Sequence, residues 1–149
     1  MVDCRKVNKL FRVVGLKGSG AYASFGTEVP KLAQYFLTRL DEVENHSGTE
    51  IALFEPKRDT TQQEGDYYVG IIVHEALKEV PEGMHYLETD QAYVTTRGKM
   101  INLVNLHTHL LKWADDQGYK RDLASYIAET YHPIENGEEE VEIYLPIHL

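Results

Sequence analysis

The sequence has few of the features that mark secreted, membrane-spanning or nucleic-acid-binding proteins. It has one cysteine, Cys4, so no internal disulfide can form, and a reducing compartment is expected. No apolar run approaches the roughly 20 residues that span a bilayer. The first residues lack the apolar stretch of a signal peptide, which predicts a cytoplasmic protein with no membrane partner. A net charge of −9 argues against nucleic-acid binding, which needs a basic surface, and favours neutral or cationic ligands.

Motifs for metal, phosphate and nucleophile chemistry are also missing from the sequence. His107 and His109 lie two positions apart on a predicted helix, so they point to different sides and chelate poorly. There is no HExxH or CxxC pattern, and no serine lies in a GxSxG context. The glycines around Lys17 match neither nucleotide-binding pattern and are more typical of turns. We therefore predict no metal site and no cofactor.

The chain consists of two similar units, whose corresponding segments lie roughly 75–80 residues apart in the sequence. The halves cover about residues 8–78 and 85–149. Each is predicted to run strand, helix, strand, strand. The linker between them contains Pro81 and Gly83, which are typical of a connection. A unit this small cannot bury its sheet face alone. We therefore predict a single α+β domain, residues 1–149, in which the two halves pack around a central ligand cleft.

Local signals place the elements of each half. In the first half, Pro30 suits the first turn of a helix and Gly48 its end. In the second half, Gly118 is expected to end the helix. The apolar side chains expected to line that helix are Ile101, Val104, Leu110, Leu111 and Trp113. The expected strands of both halves cover residues 11–16, 51–56, 67–74, 92–96, 125–131 and 141–147.

Glu129 is the most informative residue, because it is an ionisable group within an apolar, strand-like run. Burying a carboxylate is costly unless something pairs with it. Such a group is a candidate for holding a cation or moving a proton. The alternative is an edge strand from which Glu129 points into water.

Strand alternation predicts which side chains share the face of Glu129. Tyr131 lies on that face, and we expect Tyr68, Gly70 and Tyr144 to meet it, forming an aromatic cleft with one acid. Ten tyrosines suit planar or cationic ligands, although tyrosine favours strands in any case. The further candidate wall residues are Phe54, Glu55, Trp113 and Tyr126. Glu55 also suits an exposed strand end, and Trp113 a helix residue packed on the sheet.

Several segments resemble a known family over nearly the whole chain. They are Phe54-Glu-Pro, Gly65-Asp-Tyr-Tyr-Val-Gly-Ile, Gly98 before a helix with Leu110, Leu111 and Trp113, then Gly118, Ala128-Glu-Thr-Tyr and Glu142-Ile-Tyr-Leu-Pro-Ile. In these the chain resembles the GyrI-like small-molecule-binding domain, the effector-binding domain of multidrug-responsive bacterial regulators. The resemblance implies two strand–helix–strand–strand repeats around a cleft that binds hydrophobic, often cationic compounds. An acidic residue matching Glu129 is the implied anchor.

The resemblance leaves three functions open. Some relatives are sensing domains of regulators, although no DNA-binding segment is recognised ahead of the domain here, and one relative inhibits DNA gyrase. Stand-alone members are similar to hydrolases that open the cyclopropane ring of DNA-alkylating compounds. That similarity implies Glu129 as general base, with Tyr131, another cleft tyrosine or Trp113 as its aromatic helper. The hypotheses are therefore a small-molecule binder, a hydrolase and a protein-interaction module.

Overall fold

A computed structural model describes residues 3–148 of the chain. It shows strand, helix, strand, strand twice, and it confirms an α+β fold of two pseudo-repeated halves. Both helices have 14 residues, and each follows a short 3-10 turn. The elements are β1 (Cys4–Ala21), α1 (Phe25–Thr38), β2 (His46–Phe54), β3 (Glu64–Val73), β4 (His85–Lys99), α2 (Leu103–Asp116), β5 (Ile127–Pro133) and β6 (Glu139–Pro146).

The six strands close into an antiparallel barrel in the order β1-β3-β2-β5-β6-β4. The long β1 joins the halves, because it pairs with β4 along one part and with β3 along the other. The two central strands, β2 and β5, pair with each other. Large side chains fill the interior: Phe11, Val13, Ile51, Leu53, Tyr68, Tyr93, Ala128 and Tyr144.

Each helix covers part of the outer barrel surface. Phe36 of α1 packs on β1 and β3, and Leu110 of α2 packs on β4 and β6; both side chains are fully buried. Burying a side chain of this kind stabilises the fold by about 1.5–3 kcal/mol. Each helix therefore forms an outer layer on its own half of the barrel, and the outer faces of β2 and β5 lie between the two helices.

The first helix differs from its prediction at both ends. It begins at Phe25, so Pro30 lies inside the helix rather than in its first turn. It ends at Thr38, and Gly48 lies in β2 with φ of +83°, where the pairing with β3 shifts register. Residues 17–21, expected as a turn, continue β1, because they pair with β3 as far as Ala21 and Glu64.

The second helix buries only part of the predicted line of side chains: Leu110 is fully buried and Trp113 is partly buried. Ile101 and Val104 are 88% and 78% exposed, and Leu111 is also exposed. The buried residues are Leu106, Leu110 and Ala114, which follow the helical period. Gly118 ends the helix as predicted: its φ is +81°, a left-handed conformation that suits glycine.

Neither helix in the described part of the chain, residues 3–148, has the length and apolar character needed to cross a membrane.

Candidate functional site

Glu129 lies in the middle of the sheet and not at an edge. In β5 it is opposite Ala52 of β2 on one side and Ile143 of β6 on the other. The residue is only 5% exposed. The alternative interpretation, an edge strand that turns Glu129 to water, is therefore wrong.

Both carboxylate oxygens of Glu129 are hydrogen-bonded. The Tyr131 hydroxyl donates to Oε1 at 2.7 Å. Nε2 of His107, on α2, lies 2.7 Å from Oε2. An ionised carboxylate only accepts hydrogen bonds, so Nε2 of His107 carries a proton toward Glu129. Two donors from different elements thus compensate for the burial of this acid.

A cavity of about 320 Å³ adjoins this group on the outer barrel surface, between α1 and strands β2, β3 and β5. Tyr131 and Ala52 are part of its wall, and Ala52 is the direct cross-strand neighbour of Glu129. Glu129 is not itself a wall residue, but its carboxylate lies next to the wall through the Tyr131 hydroxyl that donates to it and through Ala52. The remaining wall residues are Val29, Pro30, Ala33, Gln34, Phe36, Leu37, Glu50, Ile51, Val69, Gly70, Met100 and Glu139.

Two further carboxylates, Glu50 and Glu139, line the cavity. Burial, and then the charge of Glu139, raise the pKa of Glu50 above its ordinary value. Burial, the charge of Glu129 and the hydrogen bond to it raise the pKa of Tyr131 well above its ordinary value, so this hydroxyl stays a neutral donor. With Glu129 behind them, Glu50 and Glu139 give a mainly apolar cavity a negative field.

The predicted shared face of Glu129 with Tyr68 and Tyr144 is wrong. Both tyrosines point into the barrel interior, and Tyr126 packs there too, on the side of β5 that carries Ala128. The register explains this: Glu129 is opposite Ile143, so the adjacent Tyr144 faces the other way. The space expected as a cleft between the sheets is filled by aromatic side chains, and the cavity lies outside the barrel.

Gly70 is at the cavity, but the close approach of another strand explains its lack of a side chain. A Cβ at Gly70 would lie 2.1 Å from the carbonyl oxygen of Val14 in β1. Gly70 faces Gly15 directly across the β1–β3 pair. Its backbone forms part of the cavity wall.

The three other predicted wall residues belong to the packing of their own elements. Phe54 packs against Phe25 at the start of α1, with ring centroids 6.1 Å apart. Trp113 packs in the cluster under α2. Glu55 holds the β2–β3 connection: it pairs with Arg58 and accepts from the Asp66 N–H at 2.9 Å. Arg58 is the main reason that the pKa of Glu55 is lowered.

Three acidic or basic residues at the site were not found from the sequence. His107 was considered only as a metal ligand, yet its position beside buried Leu106 puts it at the margin of the packed face of α2. Glu50 shares a strand face with Ala52, since alternate residues point the same way. Glu139 lies in an acidic run, and it becomes a site residue only because β6 begins there.

The protein-family model of the GyrI-like small molecule binding domain matches residues 7–148. A comparison with curated protein sequences found no match.

Several solved structures share the fold. SAV2435 bound to tetraphenylphosphonium gives a TM-score of 0.69 at 10% identity, over 98% of this chain and 94% of SAV2435. EcmrR in a DNA complex gives 0.67 at 14% identity, over 99% of this chain and 57% of EcmrR. A Listeria innocua hydrolase encoded by lin2189 gives 0.58 at 11% identity, over 97% of this chain and 91% of that one.

Identities this low show the fold alone, whereas the family model matches nearly the whole chain, in agreement with two strand–helix–strand–strand halves. The chain belongs to the GyrI-like small-molecule-binding domain family.

Proposed function

We propose that this protein binds a hydrophobic cation in the cavity between α1 and the outer faces of β2 and β5, with Glu129 as the acidic anchor. The observation that carries the proposal is a carboxylate, 5% exposed, beside a largely apolar cavity of about 320 Å³. A volume of this size is at the lower end of the range for small-molecule sites.

The lining suits a ligand that combines apolar bulk with positive charge. Val29, Phe36 and Val69 offer apolar contact, and the ring of Tyr131 offers a face for cation–π attraction. Glu50 and Glu139 add negative charge in a partly dehydrated space, where charge interactions are stronger than in water. An anionic ligand would meet three carboxylates, so the same field opposes it.

One protein of the same fold supports this class of ligand. SAV2435 is bound to tetraphenylphosphonium, a hydrophobic cation. EcmrR forms a complex with DNA, but the chain spans only 57% of EcmrR, and the proposal takes no DNA-related role from it.

The test is calorimetric titration with tetraphenylphosphonium and with neutral triphenylphosphine oxide, using wild type and Glu129→Gln. Glutamine keeps the shape and removes the charge. We expect Glu129→Gln to weaken binding of the cation at least tenfold, about 1.4 kcal/mol, and to leave binding of the neutral compound unchanged.

The matched control is Glu75→Gln, which removes the same charge from an exposed position between β3 and β4. It should bind the cation within about twofold of wild type, because exposed charges are screened by solvent and salt. Equal binding of the cation by wild type and Glu129→Gln would overturn the proposal.

One observation favours a second function, hydrolysis of a strained electrophile such as a cyclopropane-bearing alkylator. A carboxylate hydrogen-bonded to an imidazole is the arrangement of an oriented general base, and the His107 side chain is 27% exposed. In this reaction water attacks a ring carbon and the strained C–C bond breaks. The water proton passes to the Glu129 carboxylate, and Tyr131 gives its hydroxyl proton to the leaving carbon or its conjugated oxygen. Glu129 then returns the water proton to Tyr131 through their hydrogen bond, so both residues end in their starting states.

Mass spectrometry of the reaction products tests this second function. Wild type should convert the alkylator into a ring-opened product heavier by one water, whereas Glu129→Gln should form it at the uncatalysed rate. If wild type forms product only at the uncatalysed rate, hydrolysis is excluded, whereas equal rates for both proteins above that rate exclude Glu129 as the base. Neither result affects the proposed ligand binding.

A further inference from the structure

We propose that His107 is the resident cation of this site: an incoming ligand cation takes its place at Glu129, and the proton on His107 leaves the protein. The inference rests on the proposed function and adds what controls it, namely that affinity for cations rises with pH through one identified residue.

The geometry gives His107 a route out that Glu129 lacks. The imidazole Nε2 is 2.7 Å from Glu129 Oε2, and the two side chains are 27% and 7% exposed. His107 reaches the carboxylate from α2, whereas the cavity approaches it from the side of α1 and β2. The imidazole therefore reaches solvent without crossing the cavity, and Glu129 stays in place on β5.

The charge on His107, when the imidazole is protonated, favours exchange with a ligand cation. Oε1 of Glu129 accepts from Tyr131 and Oε2 from His107, so each oxygen already has one donor. The Tyr131 hydroxyl is neutral and does not oppose an added cation. A protonated imidazole does, since two positive charges on one buried carboxylate repel each other in a poorly screened space. Loss of the proton from His107 relieves that repulsion and leaves the ring free to remain packed or turn toward solvent.

Other ionisable groups around the site can also make cation binding depend on pH, and their contribution must be distinguished from that of His107. They are Glu50 from β2, Glu139 from β6 and Tyr131 from β5, while the cavity-lining residue Gln34 of α1 is neutral. Burial raises the pKa of Glu50, so its ionisation also favours cation binding as pH rises. A variant at Glu50 is therefore required beside a variant at His107.

The linkage is quantitative. Where His107 is protonated in the free protein and unprotonated in the complex, each bound cation releases about one proton, and affinity rises by up to about tenfold per pH unit. Imidazoles in proteins titrate between about pH 5 and 8, which sets the range to examine.

The experiment is titration calorimetry with tetraphenylphosphonium, whose own charge does not change with pH, at several values between about pH 5.5 and 8. Repeating each titration in buffers of different ionisation enthalpy counts the protons released. Four proteins are compared: wild type, His107→Gln, His109→Gln and Glu50→Gln. His109 is an exposed histidine two residues along α2 and is the matched control. Glutamine at 107 can still donate to Glu129 but does not titrate.

We expect wild type and His109→Gln to release close to one proton per cation near pH 5.5, and to bind the cation at least tenfold more tightly near pH 7.5 than near pH 5.5. Glu50→Gln should bind the cation more weakly at each pH but keep most of the proton release and of the pH dependence. His107→Gln should release far fewer protons than wild type, and near pH 5.5 it should bind the cation more tightly than wild type. Binding by all four with the same pH slope and proton count would overturn the role of His107 and leave the proposed function standing. Absence of cation binding in all four at every pH would overturn both.

Discussion

At the residue scale, the site depends on how a buried carboxylate is accommodated. Glu129 is central in the sheet, and its two carboxylate oxygens are hydrogen-bonded by Tyr131 and His107. Such a group is stable only while its partners are present, because an unpaired buried acid loses its hydration without compensation. The same dependence makes the group responsive to a ligand that offers a competing charge.

Replacing Tyr131 with phenylalanine should destabilise the fold without changing its shape. The variant leaves Glu129 Oε1 without its donor at 2.7 Å, at a cost of about 1–3 kcal/mol in the free energy of unfolding. Urea denaturation measures this. Tyr35→Phe on α1, where the ring is 55% exposed, is the control and should change stability by no more than about 0.5 kcal/mol. Equal losses in the two variants would contradict the role given to the hydroxyl.

Sequence reasoning identified Glu129 and Tyr131 because an acid within an apolar strand is visible in a single segment. It did not find the contact with His107, because that contact depends on how α2 is rotated over the sheet. The predicted α2 line is right for Leu110, which is buried, and wrong for Ile101 and Val104, which are exposed, so it does not define the rotation of the helix. Without the rotation, no spacing rule connects position 107 with position 129.

At the element scale, the cavity exists because β2 and β5 lie between two helices that each cover their own half. Small residues permit close approach of strands around it. Gly15 and Gly70 face each other where β1 meets β3, and Ala52 leaves space beside Glu129. The register of β5 against β2 and β6 decides that Glu129 points outward while Ala128 points into the barrel.

Gly70→Ala should destabilise the barrel strongly, because its Cβ would lie 2.1 Å from the Val14 carbonyl oxygen and backbone must move. The expected cost is about 3 kcal/mol or more in the free energy of unfolding. Gly20→Ala, in the paired strand β1, is the control, since a Cβ there meets nothing within 4 Å. Thermal and urea unfolding of both variants give the comparison. Similar stability of the two would show that β1 and β3 do not approach as closely as described.

At the scale of the whole molecule, the interior of the barrel is aromatic and tyrosine-rich. Phe11, Tyr93 and Tyr144 pack edge to face, with ring centroids 5.0–5.8 Å apart. The repeat in the sequence predicted the two halves. Barrel closure was not predicted, because it depends on the pairing of β1 with β4 and of β2 with β5, which are distant in sequence. The sequence therefore suggested an open cleft where the structure has a packed interior.

The buried tyrosines predict loss of stability in alkali. Burial, and then the charge of Glu142, raise the pKa of Tyr144 to about 12. A tyrosine in the unfolded chain ionises near pH 10, so the unfolded state gains from ionisation first, and stability falls as pH rises from about 10 to about 12. Tyr144 accounts for on the order of 2–3 kcal/mol of this loss.

The measurement is the free energy of unfolding at a series of pH values, with tyrosinate absorbance recorded in parallel. Tyr144→Phe should lose less stability than wild type between about pH 10 and 12. Ionisation of all ten tyrosines near pH 10 in the still-folded protein would contradict the burial described here.

The central claim, that the cavity beside Glu129 binds a hydrophobic cation, is tested most directly by a crystal structure with tetraphenylarsonium, located by the anomalous scattering of its arsenic atom. The account predicts one arsenic peak between α1 and strands β2 and β5, within roughly 6 Å of the Tyr131 ring, the range of cation–π contact. A peak elsewhere on the protein, with this cavity unoccupied by the cation, would contradict it.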